Sequence, residues 1–207
     1  MLQALRVIGR TLRFIWEEMF HLLPMNLVTM LCFLLVIPSA PAWLALNAVC
    51  NRIAHAYAVS FGEYVEALRS YFVRAWVYGL VWPLVAALLL VNFWWYGEVF
   101  ASAWWASWAR GAWLAALILW LMSTLYVIPF YIEQADKRWR VALRNSALTF
   151  AANPVFSFVL ALTGIALLAI MLIFTPLFVL LGPATWAMLV NTALADRLDR
   201  WAQSRAG

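Results

Sequence analysis

The chain has 207 residues, of which 67% are hydrophobic and 11% are charged, and its formal net charge is +5. An ordinary soluble domain is about 25% charged, and so few charges cannot cover the surface of a soluble fold of this length. The composition therefore excludes a soluble enzyme, a disordered chain and a coiled coil. It predicts an all-α, polytopic transmembrane helical bundle.

The N-terminal segment, residues 1–20, has separate polar and apolar helical faces. This pattern predicts an amphipathic helix that is retained in the protein and lies in the membrane interface, with its arginines toward water. The polar face holds Gln3, Arg6, Arg10, Arg13 and Glu17, and the apolar face holds Leu5, Ile8, Leu12, Ile15 and Met19.

Residues 22–58 form the first predicted hairpin. An apolar run from Leu22 to Ile37 ends at a turn containing Pro38 and Pro41, and a helical pattern then continues over 41–58. This second helix is short and polar, so two alternatives stay open. The pair either spans the membrane twice or forms a re-entrant hairpin.

Two further units follow, each predicted to be an interfacial elbow helix and a membrane hairpin. Residues 62–132 contain an elbow at 63–74, spans at 75–96 and 111–132, and a tryptophan-rich outer loop between them. Residues 136–195 contain a charged elbow and spans at about 154–174 and 177–195, and residues 196–207 form a polar tail. The whole chain is thus one membrane domain with about six membrane helices in three hairpins.

An Ala-Leu-Arg triplet occurs in all three elbows, beginning at Ala4, Ala67 and Ala142. The spacing of the triplets is unequal, so two interpretations remain. The triplets mark a threefold repeat of elbow and hairpin, or they reflect the residues that interfacial helices commonly use.

The basic residues predict the orientation of the protein, because cytoplasmic segments of membrane proteins are enriched in arginine and lysine. Placing both termini in the cytoplasm of a bacterial plasma membrane leaves only Arg110 on the outer side. The residues expected to set this topology are Arg6, Arg10, Arg13, Arg69, Arg74, Lys137, Arg138, Arg140 and Arg144.

A polar cluster lies within the helix predicted at 41–58: Asn47, Asn51 and His55 recur every four residues, and Arg52 lies beside them. Polar groups at membrane depth usually face a protein interior or a watery cavity. One interpretation is hydrogen bonding between helices, and the other is a lining for a ligand. Neither histidine has an evident acidic partner within the membrane.

Tryptophans concentrate near the predicted outer loop. Indole rings favour the headgroup depth of a bilayer, where they anchor a protein or face a partner. The residues assigned to this role are Trp94, Trp95, Trp104, Trp105 and Trp108.

No catalytic motif is evident in the sequence. There is no phosphate-binding glycine loop, metalloprotease motif or nucleophile elbow. Glu18 and His21 have the Glu-x-x-His spacing of bundle metal sites, but such a site needs further ligands and the motif has no second copy. We therefore expect no enzyme activity, no metal, no cofactor and no nucleic-acid partner.

The chain resembles the YesL family of bacterial membrane proteins, a family of unknown function, through an ordered series of short motifs. The series is Asn26, Ile37-Pro38, Pro41-Ala42, Arg52, Phe61, Ala67-Leu68-Arg69, Trp76, Gly79-Leu80, Pro129-Phe130, Ala142-Leu143-Arg144-Asn145 and Asn153-Pro154. The resemblance implies no catalytic residues. It implies an accessory membrane component, because such proteins are often encoded beside carbohydrate ABC importers.

The expected function is therefore that of a non-enzymatic scaffold in the lipid bilayer that docks a larger membrane complex, with a carbohydrate ABC importer as the partner that the resemblance implies. A structural subunit of another assembly, such as an energy-transducing one, is the same hypothesis with a different partner. The alternative of a different class is a small-solute transporter or channel, supported by the break at Pro38–Pro41 and the polar helix.

Overall fold

A computed structural model of the protein describes residues 2–206, with side chains from Gln3 to Gln203. Over this range the secondary structure is helical without strands, which confirms the all-α class. Met1 and Gly207, which the predicted terminal segments include, lie outside the described residues. The helices are α1 (Leu2–Glu17), α2 (Met19–Leu35), α3 (Ser39–Ala54), α4 (Phe61–Ser70), α5 (Phe72–Glu98), α6 (Ala106–Ser123), α7 (Val127–Glu133), α8 (Trp139–Ala152), α9 (Pro154–Ile173) and α10 (Thr175–Ala206).

Four segments of the described chain are long and apolar enough to cross a membrane: Phe72–Glu98, Ala106–Glu133, Pro154–Ile173 and Thr175–Gln203. Helices α1 and α2 meet at 90° and qualify only when taken together, which gives up to five. The prediction of about six is therefore close, and the difference lies in the first hairpin. With 17 and 16 residues, α2 and α3 are shorter than the roughly 20 residues that a crossing requires.

Helix α3 forms the centre of the fold. It packs against α2, α4, α5, α7 and α10, and 12 of its 16 residues are buried. Small side chains such as Ala42, Ala45 and Cys50 allow this close approach on several sides. Helix α10 covers α3 with Ala184, Ala187 and other core residues. The first hairpin is thus the most enclosed part of the bundle, although it is the least apolar hairpin in sequence.

The order of elements recurs three times along the chain. Helices α1, α4 and α8 each end at a one-residue break, formed by Glu18, Tyr71 and Asn153, before the next helix begins. Ala4 and Ala142 of the Ala-Leu-Arg triplets are buried. The triplets nevertheless lie at different distances from the breaks, so they do not mark equivalent positions.

Several helix ends differ from the ends of the predicted segments. The elbow predicted at 63–74 begins at Phe61, where Ser60 and Glu63 form a capping box, and it ends at Ser70. The span predicted at 111–132 lies within the candidate membrane segment Ala106–Glu133, which is divided into α6 and α7. The described residues of the predicted polar tail continue α10, where Arg200 pairs with Asp196 one turn earlier at 2.7 Å.

Candidate functional site

The end of α3 is joined to α7 through one carboxylate. The Asn51 Nδ2 group donates to Glu133 Oε1 at 2.7 Å, and His55 Nε2 lies 2.6 Å from the same oxygen. Glu133 is the last residue of α7 and lies 78 residues from His55 in sequence. The sequence analysis found no acidic partner for His55 within the membrane, and the structure pairs it with Glu133, the last residue of the candidate membrane segment Ala106–Glu133. Asn51 is buried, whereas the His55 and Glu133 side chains are partly exposed, which places this pair at the rim of the core.

Asn47 is directed toward a different helix. Its Oδ1 atom accepts from Asn191 Nδ2 of α10 at 3.1 Å, and its own Nδ2 group donates to the Trp43 carbonyl at 2.9 Å. Both asparagines are buried. In an apolar interior such an amide pair links two helices, and each amide satisfies part of the other's hydrogen-bonding capacity.

The contacts of the Arg52 side chain are separate from those of Asn47, Asn51 and His55. Its guanidinium pairs with Glu63 Oε1 at 2.7 Å, and it lies over the Tyr57 ring at 5.7 Å. Glu63 also closes the capping box that begins α4. The four residues that the sequence grouped together thus contact α10, α7 and α4 separately. They tie α3 to its neighbours and do not converge on one pocket.

Lys137 lies beside the His55–Glu133 pair, in the loop that follows α7. Burial lowers the pKa of its ammonium group, and the Glu133 carboxylate opposes this shift. The ammonium group donates to the carbonyl oxygen of Ile132. This corner of the molecule thus combines one carboxylate with a lysine and a histidine at the boundary of the apolar core.

Asn26 of α2 holds a broken turn of α10, a role that the sequence analysis missed. Pro183 has no N–H, so the carbonyl of Val179 loses its helical donor. Asn26 Nδ2 donates to that carbonyl at 2.8 Å, and Asn26 Oδ1 accepts from the backbone N–H of Ala184 at 2.8 Å. One fully buried amide therefore satisfies both backbone groups at the break.

The predicted tryptophan group lies around the turn between α5 and α6, but its members differ in exposure and in packing. Trp105 packs against Phe100 at 5.1 Å and against Tyr96 at 5.9 Å, so it holds the turn together. Trp104 and Trp108 are 84% and 79% exposed, and Trp94 and Trp95 are also exposed. Trp108 lies within α6 and not in the loop. Arg110 lies over the Phe93 ring at 4.9 Å.

Five other tryptophans line two cavities that the sequence analysis did not foresee. The larger cavity has a volume of about 570 Å³ and is lined by residues of α2, α3, α5, α7, α8, α9 and α10. The smaller, of about 260 Å³, lies between α3, α5, the α6–α7 region, α9 and α10, and reaches Asn47. Trp43, Trp82 and Trp186 border both cavities. The presence of these tryptophans outside the predicted loop was visible in the sequence. Helical periodicity, however, does not show which apolar helix faces pack loosely enough to leave a cavity.

The basic residues assigned to topology lie on the surface, with Lys137 alone among them partly buried. Several contacts link the ends of elbow helices to neighbouring helices. Arg197 of α10 bonds to Gln3 of α1 and to Asn153 at the α8–α9 break, both at 3.3 Å. Trp139 of α8 donates its indole N–H to the backbone carbonyl of Arg74. Within the described residues no group of three or more His, Cys, Asp or Glu side chains is placed to hold a metal ion.

Part of the chain is similar to a known protein family. Residues 22–93 match a family described as "Protein of unknown function, DUF624". The matched region contains α2, α3, α4 and most of α5, and therefore includes Asn26, Asn47, Asn51 and His55. No curated protein and no solved structure matches the chain. The chain is thus a helical protein with several potential membrane spans and a region similar to this family.

Proposed function

We propose that the protein is a non-enzymatic membrane accessory protein, and that its α5–α6 hairpin docks a larger membrane complex. The observation that carries the proposal is the exposure of α5. Of its 27 residues only Ala75 is buried, and none of its most apolar 18-residue window is buried. In α10, by comparison, 67% of the corresponding window is buried.

The hairpin also has a feature suited to recognition. Trp94, Trp104 and Trp108 are exposed at its tip, on a turn that Tyr96, Phe100 and Trp105 hold in place by ring packing. Tryptophan is enriched at the centres of protein interfaces because its large rigid surface loses little entropy on binding. A rigid tip and an unburied helix together offer a continuous surface for another membrane helix.

The identity of the partner rests on the family resemblance. We propose that the chain is a YesL-like member of the matched family, since the matched region includes Asn26, Ile37-Pro38 and Ala67-Leu68-Arg69. On this basis the proposed partner is a carbohydrate ABC importer of a bacterial plasma membrane. The proposed orientation places both termini in the cytoplasm, in agreement with the distribution of arginine and lysine.

Site-specific photocrosslinking in the native host tests the docking proposal. A photoreactive phenylalanine analogue at Leu84 of α5, which is 70% exposed, should form a discrete crosslink to another membrane protein. The same analogue at Leu162 of α9 is a matched control, since that leucine is also 70% exposed and lies in another candidate span. Mass spectrometry of the crosslinked product identifies the partner.

A crosslink at position 84 to an importer subunit would support both the docking function and the proposed partner. A crosslink to a subunit of another complex would support docking and contradict the choice of an importer. Crosslinks to lipid alone at both positions, in a protein of normal abundance, would contradict the docking function.

A further inference from the structure

A third cavity lies where the start of α9 meets α1 and α10. Its volume is about 320 Å³, and its lining includes Gln3 of α1, the chain from Ala152 to Phe156, and Arg197 of α10. Arg197 is the one charged residue among the described residues that line it. An anion that enters such a cavity gains an ionic partner in exchange for part of its hydration, whereas a cation is repelled.

The Arg197 guanidinium has no carboxylate partner in the described part of the chain. Every other arginine whose side chain is described is exposed, except Arg200, which holds the carboxylate of Asp196 at 2.7 and 3.3 Å. Arg197 lies with its Cζ atom 3.6 Å from the centre of the Phe156 ring and donates to two neutral amide oxygens, both at 3.3 Å. Its Nε–H group is buried and has no acceptor among the described residues. A partly buried charge without a counterion is costly, and a bound anion would reduce that cost.

The first turn of α9 adds backbone donors to the same cavity wall. Pro154 occupies the start of the helix, and the N–H groups of Val155 and Phe156 donate to no described group. The Asn153 side chain does not cap the helix, and its Oδ1 atom accepts from Arg197. The positive end of a helix dipole and its free N–H groups together stabilise a negative charge. The cavity therefore combines a side-chain cation with the start of a 20-residue helix.

The position of the cavity relative to the candidate spans indicates the kind of anion. Pro154 begins the candidate span Pro154–Ile173, and the cavity is lined by residues on either side of that point. Gln3 belongs to α1, the helix predicted to lie in the membrane interface. A site at the start of a span and beside an interfacial helix lies at the depth of the lipid headgroups, where phosphate is the common anion.

We propose that this cavity, which is separate from the α5–α6 docking surface, binds a phosphate group. The Arg197 guanidinium supplies the charge, and the N–H groups of Val155 and Phe156 supply further donors. Phosphate oxygens are arranged tetrahedrally, so they can accept from α9 and α10 at the same time. A carboxylate has only two coplanar oxygens, and a halide ion is far smaller than a cavity of this size requires. A phospholipid headgroup and a soluble phosphate ester share this chemistry.

Two measurements on the full-length protein, purified in a charge-neutral detergent, distinguish these sources. Native mass spectrometry follows the titration of phosphatidylglycerol and gives the lipid concentration that half-saturates the first bound molecule. Thermal unfolding measures the stabilisation by inorganic phosphate against sodium chloride of equal ionic strength. Saturable lipid binding that excess phosphate does not displace would assign the site to a lipid headgroup. Stabilisation by phosphate, with displacement of the lipid, would assign it to a soluble phosphate compound.

Arg197→Gln removes the charge and keeps a polar side chain at the same position. Loss of charge-assisted hydrogen bonds weakens binding by about ten- to a hundredfold, so the half-saturating lipid concentration, or the phosphate concentration needed for stabilisation, should rise by that factor. Arg140→Gln is the matched control, because Arg140 is also an arginine of the basic surface but is exposed and does not line the cavity. It should bind as the wild type does.

A second pair of variants leaves Arg197 in place. Ala152→Phe enlarges a side chain that lines the cavity, and Ala151→Phe makes the same change at an exposed neighbour outside the lining. We expect Ala152→Phe alone to weaken binding at least tenfold. This pair keeps the test informative if Arg197→Gln fails to fold, which thermal unfolding without added ligand reveals.

Three results would overturn the proposal. The first is binding that is equal within each matched pair, because the attraction would then be a general property of the basic surface. The second is the absence of both lipid binding and phosphate stabilisation in the wild-type protein. The third is displacement of phosphatidylglycerol by oleate as effectively as by unlabelled phosphatidylglycerol, because the site would then not select phosphate over a carboxylate.

Discussion

Asn26 shows how much of this fold depends on one polar side chain. In water the backbone groups freed by Pro183 would be hydrated, but in a bilayer they need a partner within the protein. The Asn26 amide has both a donor and an acceptor, and each is used within 2.8 Å. A hydrophobic side chain of equal size fills the same volume but satisfies neither group.

Replacing Asn26 by leucine should therefore destabilise the bundle. A buried group without its hydrogen bond costs about 1–3 kcal/mol, although interhelical hydrogen bonds in membranes average only about 0.6 kcal/mol, so we expect a loss of about 1–3 kcal/mol. Adding Pro183→Ala should recover part of it, because the alanine restores a backbone N–H that can donate to the carbonyl of Val179. Thermal unfolding of the single and double variants in detergent measures both effects.

Asn92→Leu provides the matched control for this prediction. The Asn92 amide bonds only to the Leu88 carbonyl of its own helix, on the outside of α5. Its replacement should change stability by less than about 0.5 kcal/mol, as for ordinary surface positions. If Asn26→Leu and Asn92→Leu lower the stability equally, the Asn26 amide does not stabilise the break in α10 at Pro183.

Sequence patterns indicated the polar residues of the first hairpin but not their partners. Helical spacing placed Asn47, Asn51 and His55 on one face, and in the structure Asn47 and Asn51 lie on α3 while His55 is its C-cap residue. Their partners, Asn191 and Glu133, lie 144 and 82 residues away from Asn47 and Asn51. Such pairings depend on how the helices pack, and local periodicity contains no information about packing.

Helix α1 has three distinct sides, and the sequence separated only two of them. Ala4, Val7, Thr11 and Ile15 are buried against the bundle, whereas Leu5 and Leu12, which were predicted on the same apolar face as Ile15, are 56% and 46% exposed. All the residues of the predicted polar face are exposed. This arrangement suits a helix at the bilayer surface. Its buried side contacts the bundle, its exposed apolar side contacts lipid and its basic side faces water.

Reversing the charge of α1 tests its position on the membrane surface. Each basic residue near an anionic leaflet contributes about 1 kcal/mol, so replacing Arg6, Arg10 and Arg13 together by glutamate should release this helix from the headgroups. A fluorophore at Gly9→Cys, an exposed position with no neighbour within 4 Å, should then be quenched less by spin-labelled headgroups.

Replacing Arg6, Arg10 and Arg13 together by lysine distinguishes the effect of charge from the effect of specific arginine contacts. Arg10 donates to the Ala54 carbonyl at 3.4 Å and Arg13 pairs with Glu17 at 2.7 Å, so any substitution removes some arginine-specific geometry. Lysine retains the charge, and quenching should stay close to that of the wild type. Equal quenching of the glutamate and wild-type proteins would show that α1 is held by the bundle alone.

Hydropathy predicted the spans of the second and third hairpins and underestimated the enclosure of the first. Helix α9 is strongly apolar, yet only four of its 20 residues are buried, whereas α3 contains Asn47, Asn51 and Arg52 and is mostly buried. In a bilayer the lipid replaces water as the outer solvent, so apolar character no longer indicates the inside of the protein. Small and polar residues mark the packed centre of such a bundle.

The whole molecule should be oriented with its basic end inward. In a variant with Cys32 and Cys50 replaced by alanine, a cysteine at Ser102, exposed in the turn between α5 and α6, should react with a membrane-impermeant maleimide in intact cells. A cysteine at Ser70, exposed at the end of α4, should react only after permeabilisation. The reverse result would invert the proposed topology.

The central position of α3 makes the packing of an early helix depend on a helix that is synthesised much later. Helices α2 and α3 are synthesised well before α10, which covers α3 and receives the Asn26 amide from a position 153 residues away in the chain. Until then the first hairpin carries unsatisfied amides that lipid cannot solvate. The first hairpin therefore reaches its native arrangement only after α10 has been synthesised and has packed against it.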